Sequence, residues 1–209
     1  MRTLKTAGLF LLVAVIGSLG WRRLSRSRTL PCPTWLAWIL EGPIMDRVLG
    51  TQTTLDRIGL HSGQRVLEIG PGPGRLLVPA ARRASPDGEV VGLDIQAGML
   101  EKLRRRAARA GISNLTLVLG DATEPHSNPG TFDLVYFCTV LGEIPDRLAT
   151  LRQCYETLRP SGRLSITELF PDPHYQSRST VRQLAEAAGF RLETAIGPWY
   201  FYTANFVKA

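Results

Sequence analysis

Between residues 65 and 74 the chain reads Arg65-Val66-Leu67-Glu68-Ile69-Gly70-Pro71-Gly72-Pro73-Gly74. An apolar strand with one carboxylate runs directly into a loop that has glycine at every second position. Such a loop lets the backbone approach a ligand closely, because glycine adds no Cβ and accepts φ > 0. Pro71 and Pro73 stiffen it by fixing φ. About twenty residues downstream, Glu89-Val90-Val91-Gly92-Leu93-Asp94 reads as a second strand ending in an acid placed to take a ribose diol. Together they form the layout of a nucleoside-binding α/β fold. The glycine spacing narrows the choice. A dinucleotide loop, G-x-G-x-x-G, needs glycine at 75, and this chain has Arg75 there.

Strands and helices alternate beyond the loop. The apolar runs predict strands over 65–69, 89–93, 115–119, 132–137 and 162–169. Helical periodicity predicts helices over 74–84, 97–110 and 147–158 between them. Strands joined by helical crossovers imply a parallel sheet with right-handed connections. The rhythm changes after Leu169. A helix over 177–188 precedes strands over 191–196 and 199–208, and only Gly197-Pro198 separates the last two. A turn that tight makes the final pair antiparallel. The expected fold class is α/β: a Rossmann-like seven-stranded sheet, five parallel strands plus a terminal antiparallel hairpin, with helices on both faces. Upstream, helices are expected over 34–40, with Trp35 and Trp38 on one face, and over 44–60 with a break at Gly50.

The charge is unevenly spread. Of 25 basic and 18 acidic residues, six basic ones and no acid fall within 1–30, so residues 31–209 carry 25 − 6 = 19 basic against 18 acidic groups. A nearly neutral body lacks the electrostatic footprint of a nucleic-acid binder. Nucleic acid is therefore not an expected partner. The arm itself holds an uncharged run over 7–20, and residues 4–24 are long enough as a helix to match a hydrocarbon core of about 30 Å. It reads as a membrane span, as an amphiphilic segment in the headgroup region, or as a cleaved signal peptide. The expected organisation is an apolar N-terminal helix and basic linker over 1–30, followed by one domain over 31–209. Cys32, Cys138 and Cys154 are widely spaced, as are His61, His126 and His174, so neither a disulfide framework nor a metal site is expected.

The run acid-x-Gly-x-Gly-x-Gly from Glu68 to Gly74 resembles the first motif of the class I S-adenosylmethionine-dependent methyltransferases. Leu158-Arg159-Pro160-Ser161-Gly162-Arg163-Leu164 is similar to the ubiquinone/menaquinone-biosynthesis and bacterial phospholipid methyltransferases within that class. The resemblance spans about residues 55–209 and implies S-adenosylmethionine as cofactor. It implies that Glu68 helps bind the methionine end and that the backbone at Gly70, Gly72 and Gly74 holds the cofactor's carboxylate. Asp94 takes the ribose, with Ile95 and Met99 flanking the adenine. Asp121 bonds the adenine amino group, and the Ala122 N–H a ring nitrogen. Phe137 is expected to contact the cofactor, and the methyl acceptor would lie above the strand end Phe137-Cys138-Thr139-Val140. That cofactor is cytosolic, which disfavours export and favours an arm retained on the cytoplasmic side of a membrane.

The chemistry expected is direct methyl transfer to a small acceptor. No N-P-P-Y-like run follows the fourth strand, so a flipped base is not the expected substrate. The arm, together with Trp199-Tyr200-Phe201-Tyr202 and the two upstream tryptophans, points to a membrane-resident lipophile, either a phospholipid headgroup or an isoprenoid quinone. A soluble small molecule and a non-catalytic binding module are the alternatives. Glu143, Asp146, His126, His174 and Tyr175 are candidate general bases by position, and no spacing selects one. Cys138 reads as a small buried hydrophobe.

Overall fold

A computed structural model of the chain describes residues 50–124, 127–170 and 172–209. The apolar run at 4–24, the basic linker and the expected helix at 34–40 lie outside the described residues. No helix among the described residues is long and apolar enough to cross a membrane.

Seven strands form one sheet: β1 (Arg65–Ile69), β2 (Glu89–Asp94), β3 (Leu115–Leu119), β4 (Phe132–Cys138), β5 (Leu158–Leu169), β6 (Phe190–Ile196) and β7 (Phe201–Lys208). Their spatial order is β3-β2-β1-β4-β5-β7-β6. The first five strands are mutually parallel, and β7 lies antiparallel between β5 and β6. The order reverses between β1 and β4, and the crevice at such a switch point is where open α/β sheets bind ligands. The helices are α1 (Thr51–Arg57), α2 (Leu77–Ala84), α3 (Ala97–Arg109), α4 (Arg147–Thr157) and α5 (Arg178–Ala187).

Both faces of the sheet are covered, so its central strands are near-continuous apolar runs. Successive side chains point to opposite faces. Val66, Val90, Leu134 and Tyr136 pack with Leu55 of α1 and Ile58 at its C-cap, Leu77 and Ala81 of α2, and Leu103 of α3. Leu67, Leu93, Val135, Phe137, Leu164 and Ile166 pack with Leu151 of α4 and Val181 of α5. Arg104, Arg105 and Arg109 lie on the solvent side of α3, where Arg104 and Arg105 both pair with Glu101 at 2.7 and 2.8 Å. Between β5 and β7 the buried polar pairs Ser165–Asn205 (2.7 Å) and Thr167–Thr203 (2.9 Å) satisfy each other.

Several boundaries differ from the expectations. Helix α2 begins at Leu77 rather than at residue 74, because Gly74 has φ +83° and the residues around it form turns. Strand β5 begins at Leu158, four residues early, since Phe132 pairs with Leu158 across an irregularity in the ladder. The aromatic run at 199–202 does not alternate within a strand. Trp199 and Tyr200 sit in the turn before β7, 61% and 49% exposed, and Tyr202 is buried. The N–H of Phe170 instead bonds the carbonyl of Tyr200 at 2.7 Å.

Candidate active site

The C-terminal ends of β1, β2 and β4 converge on the glycine loop. Gly70, Gly72 and Gly74 all have positive φ, at +67°, +53° and +83°. The three do different jobs. A Cβ at Gly70 would lie 2.5 Å from Cγ1 of Val140, and one at Gly74 would run into Leu103 of α3. Those two glycines let the loop lie flat against its own domain. A Cβ at Gly72 would meet nothing within 4 Å. Gly72 therefore faces open space, which leaves room for a ligand against the loop.

The three loop N–H groups are engaged within the protein. Gly70 N donates to Leu93 O at 2.8 Å, Gly74 N to Pro71 O at 3.0 Å, and Gly72 N to Oδ2 of Asp94 at 3.1 Å. The expectation that these N–H groups grip a carboxylate thus takes another form: glycine supplies room and curvature, and the loop tip is tied to the end of β2. Asp94 is nearly buried, and its other oxygen accepts from Gln96 N at 2.8 Å. Burial pushes its carboxyl up against the opposing pull of these backbone donors. Helix α3 is capped by Gln96, so Asp94 does not serve as its cap.

Glu68 is buried on β1, directly opposite Tyr136 of β4 in the strand register. The Tyr136 hydroxyl donates to Oε2 of Glu68 at 2.6 Å. Desolvation raises the carboxyl to about 7, with the Tyr136 bond and the Arg75 charge pulling the other way. The same burial, with Glu68 beside it, holds the Tyr136 hydroxyl well above its ordinary range. Arg75 also reaches Cys138 Sγ at 3.5 Å and Thr51 Oγ1 at 3.4 Å. The Cys138 thiol is pushed up to about 11 by burial, which keeps it in the unreactive thiol form.

The remaining expected residues divide. Ile95 is 61% exposed beside the loop, whereas Met99 is buried in α3. Oδ1 of Asp121 accepts from the N–H and the hydroxyl of Thr123, at 2.9 and 2.8 Å, in a local turn. Ala122 packs at the margin of the core, and Phe137 lies fully inside it. Among the candidate bases, Asp146 caps α4 through Ala149 N at 2.9 Å. Glu143 closes the single 3-10 turn Leu141–Glu143 after β4, and His174 and Tyr175 lie in the loop after β5. His126 lies outside the described residues.

Sequence reasoning passed over Tyr136, Arg75 and Thr139. The pairing of Glu68 with Tyr136 depends on the register of two strands far apart in the chain, and no local signal carries it. Thr139 has φ +56°, a conformation that non-glycine residues rarely adopt. Its N–H bonds Thr167 O at 2.8 Å, and the twist sets Val140 against Gly70.

Residues 66–162 match the methyltransferase-domain family. A nocamycin O-methyltransferase of Saccharothrix syringae is 35% identical over 57% of this chain and 42% of its own length. A ubiquinone/menaquinone biosynthesis C-methyltransferase of Idiomarina loihiensis is 32% identical over 69% of this chain and 56% of its own length. The chain thus spans about half the length of these curated relatives. In three dimensions, a SAM-dependent methyltransferase from Aquifex aeolicus superposes with a TM-score of 0.80 at 19% identity, covering 86% of this chain and all of that one. The [4+2]-cyclase SpnF superposes with a TM-score of 0.64 at 22% identity, over 72% of this chain and 58% of its own, so the fold by itself does not name a reaction. The open cradle at Gly72, with carboxylates at the ends of the adjacent strands β1 and β2, fits S-adenosylmethionine. The strand order, the glycine loop and the family match across 66–162 together support a class I S-adenosylmethionine-dependent methyltransferase.

Proposed function

We propose that the protein transfers a methyl group from S-adenosylmethionine to a small lipophilic acceptor at the cytoplasmic side of a membrane, with an isoprenoid quinol as the favoured class. The observation that carries the methyl-transfer reading is the open loop at Gly72 between the buried acids Glu68 and Asp94. Relatives named for ubiquinone/menaquinone and demethylmenaquinone methylation support the acceptor class. The apolar stretch at 4–24 supports the membrane.

S-adenosylmethionine supplies an activated sulfonium methyl, so no covalent intermediate on the protein is required. The protein's part is to bind, align and exclude water. In this reading Gly70, Gly72 and Gly74 form the cradle and Glu68 takes the methionine end. Asp94 takes the ribose, Ile95 and Met99 border the adenine, and Asp121 with Ala122 meets its edge. Phe137 backs the wall toward the acceptor.

Asp94→Ala is expected to weaken S-adenosylmethionine binding by a few kcal/mol, since it strips partners from buried hydroxyls and unties Gly72 N. Calorimetry checks this, and parent-like affinity would remove Asp94 from the site. The acceptor is tested with labelled S-adenosylmethionine and vesicles containing a prenylated naphthohydroquinone. Label should be recovered in the organic phase. Deletion of residues 1–30 should cut vesicle activity by about 10²-fold, through lost effective concentration. Activity on the detergent-dispersed acceptor should persist. Equal vesicle activity of both forms would overturn the role of the arm, and label confined to water-soluble products would overturn the lipid acceptor.

A further inference from the structure

A second buried carboxylate lies on the other side of the β4 end from Glu68. Glu168 occupies the end of β5 and is 1% exposed. Alternation puts it on the face of Leu164 and Ile166, and it is beside the strand end that leads into Leu141–Glu143. Two loops cross above it. Gly142 of that turn comes so close to the carbonyl of His174 that a Cβ would have no room. The loop from Asp172 to Gln176 therefore closes over the end of β5.

The two oxygens of Glu168 are treated differently. Oε2 accepts from Gln176 N at 3.0 Å. Oε1 is buried and has no hydrogen-bond partner among the described residues. Several nearby donors are engaged elsewhere. Arg147 spends Nε and Nη2 on the carbonyls of Leu141 and Gly142, at 3.2 and 3.0 Å. The Tyr202 hydroxyl donates to Gln176 O at 2.7 Å, the Tyr175 hydroxyl to Trp199 O, and the Gln176 amide to His174 O. A carboxylate that only fastened a loop would need Oε2 alone, and a glutamine would serve as well. Leaving an oxygen orphaned in the interior is costly, and such groups persist where they have work to do.

We propose that Oε1 of Glu168 takes the proton of the methyl acceptor, and that the acceptor is therefore a phenolic or enolic hydroxyl compound, methylated on oxygen or on the conjugated carbon. The inference rests on the methyl-transfer reading above and specifies its acceptor. The acceptor's O–H bond breaks and its proton passes to Oε1. The electron pair released forms the new bond to the methyl carbon, directly from oxygen or through the conjugated carbon. The methyl–sulfur bond breaks with its electrons staying on sulfur, which becomes a neutral thioether. For attack through carbon, the proton displaced from that carbon goes to water as the ring regains aromaticity. Glu168 then returns its own proton to solvent.

The surroundings of Glu168 suit a base of this strength. Desolvation raises its carboxyl to about 8, with Asp172 and Glu143 adding to the rise and Gln176 N and Arg147 opposing it. Also facing it are Cys138 from β4, Tyr175 from the covering loop, and Tyr202 from β7 with Arg178 beyond. A base near 8 is well matched to a phenol near 10.

The test uses the full chain and its Glu168→Gln variant, which keeps the bond to Gln176 N. The probe is a short-chain 2-prenyl-1,4-naphthohydroquinone in micelles with labelled S-adenosylmethionine, and phosphatidylethanolamine vesicles are the amine comparison. Parent activity should rise with pH to a plateau above about 8, and Glu168→Gln should be about 10²-fold slower, without that rise. S-adenosylmethionine affinity should be unchanged. A second readout needs no turnover. With S-adenosylhomocysteine present, the carbon-13 NMR signal that is missing in Glu168→Gln should titrate at a new midpoint once the hydroquinone binds. A variant within about threefold of the parent, or a midpoint that ignores the hydroquinone, overturns the proposal. Transfer to the amine alone overturns the hydroxyl assignment and leaves S-adenosylmethionine-dependent methylation standing. Transfer to neither overturns the acceptor, while failure to bind S-adenosylmethionine overturns the wider reading.

Discussion

Gly72→Val is expected to abolish S-adenosylmethionine binding, by about 100-fold or more in affinity, while the domain stays folded. The reason is where the added atoms go. At Gly72 a Cβ meets no protein atom within 4 Å, so the new side chain fills the cradle itself. The φ of +53° adds strain of about 1–2 kcal/mol, which a domain of ordinary stability survives. The neighbouring glycines should behave otherwise. Gly70→Val drives into Val140 and Gly74→Val into Leu103, both inside the packed domain. These two should lose stability by several kcal/mol and be depleted in soluble expression. Calorimetry with S-adenosylmethionine, beside thermal melts of all three proteins, separates the effects. Parent-like binding by the Gly72→Val protein would show that the loop does not hold the cofactor.

The ligand-free protein should lose stability as pH rises from about 5 to about 8. Glu68 is raised from 4.5 to about 7 by burial, so across that interval the folded state binds more protons than the unfolded chain. Its contribution is complete below the unfolded value and is lost as pH climbs through the folded one. The loss is about 3 kcal/mol, taking 1.36 kcal/mol for each tenfold step in proton affinity. Glu168, raised to about 8, acts in the same direction and extends the decline. Both carboxyls contribute between pH 5 and 7, so Glu68→Gln should about halve the slope there and leave the decline from 7 to 8, whereas Glu168→Gln should halve the lower slope and remove the decline above 7. Urea unfolding at half-unit pH intervals measures both. A profile that rises between pH 5 and 8, or that neither substitution alters, would show that these carboxyls are not perturbed in the folded state. If Glu68 takes the methionine end as proposed and pairs as a carboxylate with the ammonium group there, binding at pH 6 should also release a proton, visible as a buffer-dependent binding enthalpy.

The parts of this protein legible from the chain are those whose signals are local. The glycine loop declared itself because a strand, three glycines at alternate positions and two prolines sit in ten consecutive residues. Strands β1 and β3 fell on their expected bounds, since each is a short apolar run closed at both ends by turn residues. The terminal antiparallel pair followed from chain length alone, because Gly197-Pro198 leaves no room for a crossover. The tertiary structure decided whatever depends on register, or on one loop meeting another. Only the register sets Tyr136 against Glu68, and only the packed sheet makes that acid a buried one that titrates near neutrality. Only the fold divides the three glycines into two that meet their own domain and one that faces open space. Only the crossing of the turn after β4 with the loop after β5 buries Glu168 and strands its second oxygen. A sequence states which groups are present. Their partners, and hence their protonation and their chemistry, are set by contacts between residues far apart along the chain.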